Sequence, residues 1–381
     1  QGAKQVVDSV PNVRDLLAGD EPVAALVAPS FPAEFHDLTP AAFVAGLRHL
    51  GFRWVFEVAF GADLVAAAYR RLVAENEDGY MATTCPAVVH YVEKYAPNLV
   101  DRLAPIVSPM VASARVARKL HGERIRTVFI GPCTAKKTEG RDEMLAGDID
   151  DVLTFAELRR LFEAGAPLPE PAEGEDFDEP HARLGALFPR CGGMLQAAHI
   201  EENLLQNNVV STHGRAFTSA IREFGAGDLS VQLLELLACD GCIMGAGMQT
   251  DTPIFRRQDA VSRYARQRVN GRDEATWLAD LERFRELDLS RSYRDLDQRR
   301  SQRIVRGRVS ARPARREGAA ARRVVARGGD RDVERIAVRV YRGDRHDVLV
   351  VPVDAVDVVE AEGDILNRVG HAAAGRRGEV E

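Results

Sequence analysis

The stretch 235–248, E-L-L-A-C-D-G-C-I-M-G-A-G-M, restricts the possible folds of this chain more than any other. It places two thiols, Cys239 and Cys242, three positions apart in a glycine-rich turn that follows a strand-like run, 231–237. Glycines keep side-chain bulk out of such a turn and let backbone amides approach an anionic ligand held by the sulfurs. Taken alone, a C-x-x-C pair is compatible with a redox dithiol, half of a zinc site or an iron–sulfur ligand pair.

Size and charge narrow the class of protein. With 381 residues and a formal net charge of −6, the chain can bury a large core and is too acidic to bind nucleic acid over its whole surface. No apolar run approaches the roughly 18 residues of a membrane span, and no signal peptide is visible. We therefore expect a cytoplasmic protein with no membrane partner. The sequence begins at Gln1 rather than Met, so we expect native N-terminal residues to be missing.

Strand-like and helix-like segments alternate through residue 250, which predicts an α/β architecture. The expected strands are 23–27, 55–58, 125–130 and 231–237. Six helices are expected. One begins at Thr39-Pro40, one spans 63–74, two begin at Thr83-Thr84-Cys85-Pro86 and at Ser108-Pro109, and two more begin near 259 and 274. Residues 167–180 are rich in proline and acid and predict a solvated loop.

Composition changes after this unit. Residues 299–327 contain eleven arginines and a single acid, Glu317, with almost no aliphatic periodicity. We divide the chain into a catalytic-type domain at 1–298, a basic linker at 299–330 and a small β segment at 331–381. Within that segment, 334–342 and 347–353 alternate like two strands around Gly343-Asp344-Arg345.

The chain has five cysteines, and four of them lie where a strand or loop ends. An odd number at wide spacing does not form a disulfide framework. Because parallel strands end together at one edge of a sheet, Cys85, Cys133, Cys239 and Cys242 could converge there. Helix N-termini behind Cys85 and Cys133 would favour thiolates, and Lys136 would add positive charge.

These residues carry a family resemblance. The motifs T-T-C-P (83–86), G-P-C-T-A-K-K-T-E (131–139) and E-L-L-A-C-D-G-C-I-M-G-A-G (235–247) resemble, in order and separation, the three cysteine signatures of the catalytic domain of iron-only (FeFe) hydrogenases. A-P-S (28–30) and F-P-R-C-G-G (188–193) resemble its cluster-facing loops. The resemblance covers roughly residues 1–298 and implies a two-lobed domain with parallel-sheet cores, followed by the basic linker and the small β segment.

The resemblance also implies a cofactor, the H-cluster. A 4Fe–4S cluster would be held by Cys85, Cys133, Cys239 and Cys242, and Cys242 would bridge to a di-iron unit with carbonyl and cyanide ligands. Other residues match family positions around the di-iron unit: Pro29, Ser30, Lys136, Gly192 and Gly193. Glu139 is either a proton relay or a surface acid. Cys191 matches no ligand position and is expected to be a buried structural thiol.

Several positions depart from the family pattern. The proton-relay cysteine before the first ligand is Thr84 here, and Ala68, Tyr69 and Leu72 occupy the region of the usual acid pair. Gly131 and Leu237 replace family methionines, and the last signature is shortened to C-x-x-C. These features resemble the divergent hydrogenases of the sensory type. The implied function is interconversion of H2 with protons and electrons, slowly and in a sensing role, with Cys242, Lys136, Thr84 and Glu139 taking part.

The implied partners are H2, protons, hydrogenase maturation proteins and an electron carrier, either a ferredoxin or an upstream cluster domain that lies outside this sequence. Residues 334–364 also resemble the opening strands of a LytTR-type DNA-binding domain. Only about half of such a domain fits there, so DNA is a minor alternative partner, although the preceding arginines could neutralise phosphates. Two rival functions remain open: a non-catalytic 4Fe–4S protein like the family's assembly factors, and a redox-coupled regulator.

Overall fold

The computed structural model describes residues 6–76 and 78–294, together with the backbone of the strands at 335–342 and 345–352. The chain divides into two compact units, Gln1–Ala311 and Arg312–Glu381. The helices of the described residues are α1 (Val10–Ala18), α2 (Phe31–Glu34), α3 (Pro40–His49), α4 (Val58–Glu75), α5 (Pro86–Tyr95), α6 (Pro109–His121), α7 (Lys136–Glu139), α8 (Phe155–Ala164), α9 (Gly193–Ala198), α10 (Phe217–Ala226), α11 (Ile254–Gly271) and α12 (Glu274–Arg283). The strands are β1 (Val23–Val27), β2 (Trp54–Glu57), β3 (Tyr80–Met81), β4 (Arg126–Gly131), β5 (Asp151–Thr154), β6 (Val209–His213), β7 (Leu233–Leu237), β8 (Arg335–Arg342) and β9 (Arg345–Pro352).

The first sheet is parallel, with strand order β2-β1-β4-β5. Every residue of β1 is buried, as expected for a central strand with helices on both faces of its sheet. In the register, Val27 lies opposite both Glu57 and Ile130, so neighbouring strands end at nearly the same level. The loops that follow these strands therefore share one edge.

The second sheet is also parallel, with order β3-β7-β6. It has its own hydrophobic core, in which Met81 and Leu234 pack with Val88 and Val92 from α5. The first sheet belongs to a separate, larger core. Two parallel sheets with two cores confirm the predicted two-lobed α/β architecture.

Local signals predicted several element boundaries well. Thr39 caps α3 as expected, since its hydroxyl accepts a hydrogen bond from the Ala42 amide at 3.1 Å. The helix predicted at 63–74 instead begins at Val58, directly after β2. The first turns of α4 lie against α6. A side chain at Gly61 would collide with Ser113 and with the Pro109 carbonyl, so the absence of one lets α4 pack closely on α6.

The prediction of a solvated loop at 167–180 is wrong for its second half. Phe177 is buried, and Asp178 forms a bridge beside β2, where its carboxylate accepts a hydrogen bond from the Val55 amide at 2.7 Å. Asp176 pairs with Arg268 of α11 at 2.7 Å. The proline and acid content indicated a solvated loop, but these pairings with distant residues hold the second half of the segment against the rest of the domain.

The second unit contains the predicted hairpin. Strands β8 and β9 pair antiparallel from Arg335 opposite Pro352 to Arg342 opposite Arg345, which confirms two strands around Gly343 and Asp344. The predicted linker at 299–330 and the LytTR-like residues 353–364 lie outside the described residues. No helix in the described ranges has the length and apolar character needed to cross a membrane.

Candidate functional site

The loops that carry the predicted site residues leave the carboxyl ends of parallel strands. Pro29 and Ser30 follow β1, Cys133 follows β4, and Cys239 follows β7. Cys85 comes four residues after β3 and is the N-cap of α5. This is the edge at which open α/β sheets place ligand sites, and here two such edges face the same cavity.

The cavity brings together residues from seven separate segments of the sequence. Those of its lining residues that the sequence predicts as site residues are Pro29, Ser30, Thr84, Cys133, Lys136 and Cys242. Apolar side chains, among them Val58, Met110 and Phe129, form most of the remaining wall. Five other predicted residues adjoin this lining rather than forming it: Cys85, Cys239, Glu139, Gly192 and Gly193.

The four predicted ligand thiols influence one another electrostatically. Burial raises the pKa of Cys242 well above its usual value, and the neighbouring thiols of Cys85, Cys133 and Cys239 raise it further. Burial and Cys85 also raise the pKa of Cys133 to about 11, although Lys136 opposes the shift. Burial, Cys85 and Asp240 raise the pKa of Cys239. Thiols with raised pKa values hold their protons at neutral pH, so a metal that binds them must displace those protons.

The turn between Cys239 and Cys242 is fixed by the loops around it. Gly241 has a φ of +81°, a conformation that glycine adopts without strain. The Cys242 amide donates to the Pro189 carbonyl at 2.8 Å, and the Gly247 amide donates to the Pro132 carbonyl at 2.7 Å. A side chain at Gly245 would collide with that same Pro132 carbonyl. The glycines therefore allow the last signature to pack directly against the second one.

Two adjacent lysines have different surroundings. Lys136 lines the cavity, and its ammonium donates to Glu139 at 2.6 Å. The Lys137 ammonium turns away and donates to Ser9 at 2.6 Å and to Glu157 at 3.0 Å. Lys137 is thus part of a buried structural network, whereas Lys136 presents a cation to the cavity.

Glu139 is buried behind Lys136 rather than exposed at the surface. Its second oxygen accepts a hydrogen bond from Arg291 at 2.7 Å, and the residue is 1% exposed. Burial alone would raise the pKa of Glu139, but the charges of Lys136 and Arg291 lower it overall. The interpretation of Glu139 as a surface acid is therefore wrong, because tertiary contacts with a distant arginine draw it inside.

Ser30 and the glycines complete the surroundings of the cavity. The Ser30 hydroxyl is buried and has no hydrogen-bond partner among the described residues, although it lies in the cavity wall. Gly192 precedes α9 with a φ of +73°, and its amide donates to Glu235 at 2.9 Å. Gly193 opens α9, whose next residue, Met194, lines the cavity.

Glu235 is a site residue that the sequence predictions missed. It lies in the middle of β7, is 2% exposed and lines the cavity. Its carboxylate accepts hydrogen bonds from the Ser211 hydroxyl at 2.7 Å and the Gly192 amide at 2.9 Å. Burial raises its pKa to about 7 despite these donors. A single acid inside the apolar run L-L-E-L-L was the available signal, because a buried parallel strand rarely tolerates an unpaired charge.

We predict that Glu235→Gln removes part of the pH dependence of stability. A carboxyl whose pKa rises from 4.5 to about 7 on folding makes wild type lose stability as pH rises through that interval, with no further loss above it. The full pKa shift corresponds to a change of up to about 3 kcal/mol in the free energy of unfolding. Glutamine keeps an acceptor for Ser211 and Gly192 and has no such titration.

Denaturant unfolding of both metal-free proteins at several pH values measures this difference. Asp63, whose pKa burial also raises to about 7, is present in both proteins and cancels in the comparison. Relative to Glu235→Gln, wild type should weaken between pH 4.5 and 7. Unfolding free energies that run parallel across this range would contradict the predicted titration.

On the Thr84 side of the cavity, the nearby polar groups are hydrogen-bonded to one another. The Tyr69 hydroxyl accepts a hydrogen bond from the Thr83 amide at 2.8 Å and pairs with the Thr83 hydroxyl at 2.9 Å. The Thr83 hydroxyl also lies 2.8 Å from the Ile106 carbonyl. Burial raises the pKa of Tyr69 to about 12. These groups fix the loop before Cys85, and tyrosine at this position cannot supply a carboxylate.

Cys191 is half-buried rather than buried as the sequence predicts, and it lies outside the cavity lining. Burial raises its pKa to about 11, with smaller effects from Glu235 and Asp240. Within the described ranges, no group of three or more His, Cys, Asp and Glu side chains is arranged to bind one metal ion.

Comparisons with known proteins agree with this arrangement. The family model described as "Iron only hydrogenase large subunit, C-terminal domain" matches residues 21–246. Iron hydrogenase 1 of Clostridium pasteurianum is 31% identical over 223 residues, and the match covers 51% of this chain and 38% of that protein. The periplasmic [Fe] hydrogenase large subunit of Nitratidesulfovibrio vulgaris is 30% identical over 182 residues, and the match covers 42% of this chain and 43% of that protein. The chain thus spans less than half the length of these relatives.

Solved structures share the fold. A variant of the [FeFe]-hydrogenase HydA1 from Chlamydomonas reinhardtii aligns with a TM-score of 0.58 and 20% identity, covering 76% of this chain and 99% of that one. A second structure, from work on oxygen inactivation of [FeFe]-hydrogenase, aligns with a TM-score of 0.57 and 21% identity, covering 75% of this chain and 95% of the other. The predicted hydrogenase-like catalytic fold is therefore confirmed.

Proposed function

Because the chain belongs to the iron-only hydrogenase family, in which it matches the C-terminal domain, we propose that it binds an H-cluster and interconverts H2 with protons and electrons. One observation carries this proposal: four thiols from three separate segments interact beside a single cavity that also contains a buried lysine. Thiolates suit iron, and a buried cation suits the charge of cyanide ligands. H2-dependent reduction of a redox dye by the matured full chain, against a Cys242→Ala control, tests the function.

The residues present fit the cofactor. The Ser30 hydroxyl is a buried polar group in the cavity wall that lacks a partner among the described residues, and a polar ligand of a bound cluster would supply one. We propose that Cys85, Cys133, Cys239 and Cys242 would hold the 4Fe–4S cluster and that Cys242 would also serve the di-iron unit. Four further residues would face the di-iron ligands: Pro29, Lys136, Gly192 and Gly193. When bound, the H-cluster supplies the metal site for heterolytic cleavage of H2 and takes up the electrons.

The chain's own residues set the electrostatics of this site. Lys136 would offset the negative charge of the cyanides, and Glu139 keeps that ammonium in place from behind. Because Glu139 is paired on both oxygens and its pKa is lowered, a positioning role suits it better than proton relay. Among the described residues that line the cavity, Glu235 is the only carboxylate. Thr84 would stand nearest to a relay position, as the first signature implies.

The departures at Thr84 and Tyr69 support slow turnover and a sensing role. We predict that Thr84→Cys raises the rate of H2 evolution by about tenfold. This gain is smaller than the rate enhancement of roughly 100-fold or more that a general acid–base group typically contributes. A thiol passes a proton at neutral pH more readily than an alcohol, but no acid pair continues the relay, which limits the gain.

The control for this prediction is Thr84→Ser, which keeps an alcohol and should leave the rate near that of wild type. Both variants are matured identically, and H2 evolution is measured with a chemical reductant. Equal rates for the cysteine variant and wild type, at equal iron content, would count against a missing relay at this position.

Partners and domain limits follow as further parts of the proposal. We infer an electron carrier of the ferredoxin type, hydrogenase maturation proteins and a cytoplasmic location. The domain limits are 1–298, 299–330 and 331–381, with DNA a minor alternative partner for the last. One rival proposal, a non-catalytic 4Fe–4S protein, shares the thiol ligands and lacks the di-iron chemistry. The other is a redox-coupled regulator whose C-terminal module contacts DNA.

We predict that a chain ending at Gln298 keeps its iron content and melting temperature. Each proposed ligand lies at or before Cys242, and the cut preserves the contacts that Arg291 and Arg294 make with the fold. Iron analysis and thermal melting test this prediction by comparing the iron content and melting temperature of residues 1–298 with those of the full chain. Loss of the cluster on this truncation would mean that residues after 298 are needed for a stable site.

A further inference from the structure

The last described segment of the larger unit, residues 289–294, runs back along the loop before α6; we call it the strap. The Val107 amide donates to the Leu289 carbonyl at 2.9 Å, and the Arg291 amide donates to the Pro105 carbonyl at 3.2 Å. Ser290 forms an antiparallel bridge with Ile106. The Tyr293 hydroxyl donates to the Ile106 carbonyl at 2.8 Å. These bonds place the strap against the fold, about 150 residues along the chain from the second cysteine signature.

One strap side chain enters the interior. The Arg291 side chain is 3% exposed and bridges two carboxylates, Glu139 at 2.7 Å and Asp142 at 3.0 Å. Its guanidinium also lies 4.9 Å from the ring centroid of Tyr293. A guanidinium suits this place because its planar fork can serve two acceptors at once.

Glu139 joins the strap to the cavity. One of its oxygens accepts from Arg291 at 2.7 Å and the other accepts from Lys136 at 2.6 Å. Since Glu139 is 1% exposed, water has little access to its carboxylate and cannot take the place of Lys136 or Arg291 as hydrogen-bond donor. A continuous chain of charge-assisted hydrogen bonds therefore runs from the strap to the lysine that lines the cavity.

We propose that the strap positions Lys136: docking of Arg291 fixes Glu139, which fixes the ammonium in the cavity wall, and displacement of the strap releases it. Arg291 is a positioning residue, because it reaches the cavity through Glu139 and does not line it. The consequence for H2 chemistry rests on the proposed function, but the coupling between Arg291 and Lys136 does not.

The strap itself offers a matched control. Arg294 also pairs with Asp142, at 2.9 Å, but it does not contact Glu139. Lys137 is an internal control, since Ser9 and Glu157 hold it without contact to the strap. Arg291→Ala should therefore free Lys136 alone, whereas Arg294→Ala should weaken the strap's outer contact and leave Lys136 in place.

The experiment labels amines of the metal-free full chain with an acylating reagent and measures the rates at Lys136 and Lys137 by mass spectrometry. We expect Arg291→Ala to raise the Lys136 rate about tenfold, the scale on which an opening equilibrium responds to loss of one buried charged hydrogen bond. Arg291→Lys retains the charge and one of the two bonds, so its Lys136 rate should fall between those of wild type and Arg291→Ala. It also keeps the test decisive if the alanine variant fails to fold.

Three results would overturn the proposal: an unchanged Lys136 rate in both Arg291 variants, an equal rise at Lys137, or an equal effect of Arg294→Ala. Because labelling needs no metal, its outcome is independent of whether the H-cluster is inserted. Release of Lys136 in a chain that never acquires hydrogenase activity would uphold the strap and reject the proposed function. Hydrogenase activity in a chain whose Lys136 rate does not change in either Arg291 variant would uphold the proposed function and reject the strap proposal.

Discussion

Cys133→Ala will leave the chain with little of the iron and sulfide that wild type acquires when reconstituted without maturation proteins. Cys133 follows β4, lines the cavity and raises the pKa of Cys242, so its sulfur lies within the thiol group. A 4Fe–4S cluster needs a thiolate for each iron, and alanine offers none. Wild type should bind one cluster per chain under the same conditions.

Cys191→Ala is the matched control for this experiment. Cys191 is also a half-buried free cysteine with a raised pKa, but it lies outside the cavity lining and matches no ligand position. Its removal should leave iron and sulfide content unchanged. Full cluster content in Cys133→Ala would reject Cys133 as a ligand, and an equal loss in Cys191→Ala would show that any missing thiol impairs reconstitution.

Glu139→Ala is expected to destabilise the metal-free protein by about 3–5 kcal/mol, the typical result of removing one partner from a buried ion pair. The substitution leaves Lys136 and Arg291 buried without their shared anion. Each of these cations has a side chain that is at most 10% exposed, so solvent compensates poorly. Denaturant unfolding near neutral pH measures the loss.

The control is Glu282→Ala, which removes an exposed carboxylate paired with Arg285 at 3.3 Å. An exposed pair of this kind contributes about 0–1 kcal/mol, so this variant should unfold almost as wild type does. The Glu139 contribution should also fade in acid, since a carboxyl with a lowered pKa stabilises above its unfolded pKa and loses that effect as pH falls through the folded one. Similar unfolding free energies for the two variants would mean that the buried network contributes little.

Much of the architecture could be predicted because its signals are local. The apolar run of β1, the cap at Thr39 and the alternating strands β8 and β9 each depend on residues close in sequence. The cysteine signatures predicted which loops would meet, because strands of a parallel sheet end at a common edge. Seven of the lining residues, including Cys133 and Lys136, lie within those motifs.

The remaining features depend on contacts that no local pattern encodes. Arg291 lies in a polar segment that resembles any solvated chain end, and only the fold brings it to Glu139. Asp178 lies within the proline-rich acidic segment, yet it pairs at the edge of β2. Glu235 had a visible signal, an acid inside an apolar strand, but its partners Ser211 and Gly192 come from different elements.

The infrared spectrum of the full chain after treatment with hydrogenase maturation proteins tests the central claim most directly. Carbonyl and cyanide ligands on iron absorb where polypeptide does not, so they report the di-iron unit without requiring turnover. The account predicts bands of metal-bound CO and CN in wild type and their absence in Cys242→Ala. A wild-type chain that carries its complete 4Fe–4S cluster and shows no such bands would contradict the account and favour the non-catalytic iron–sulfur protein.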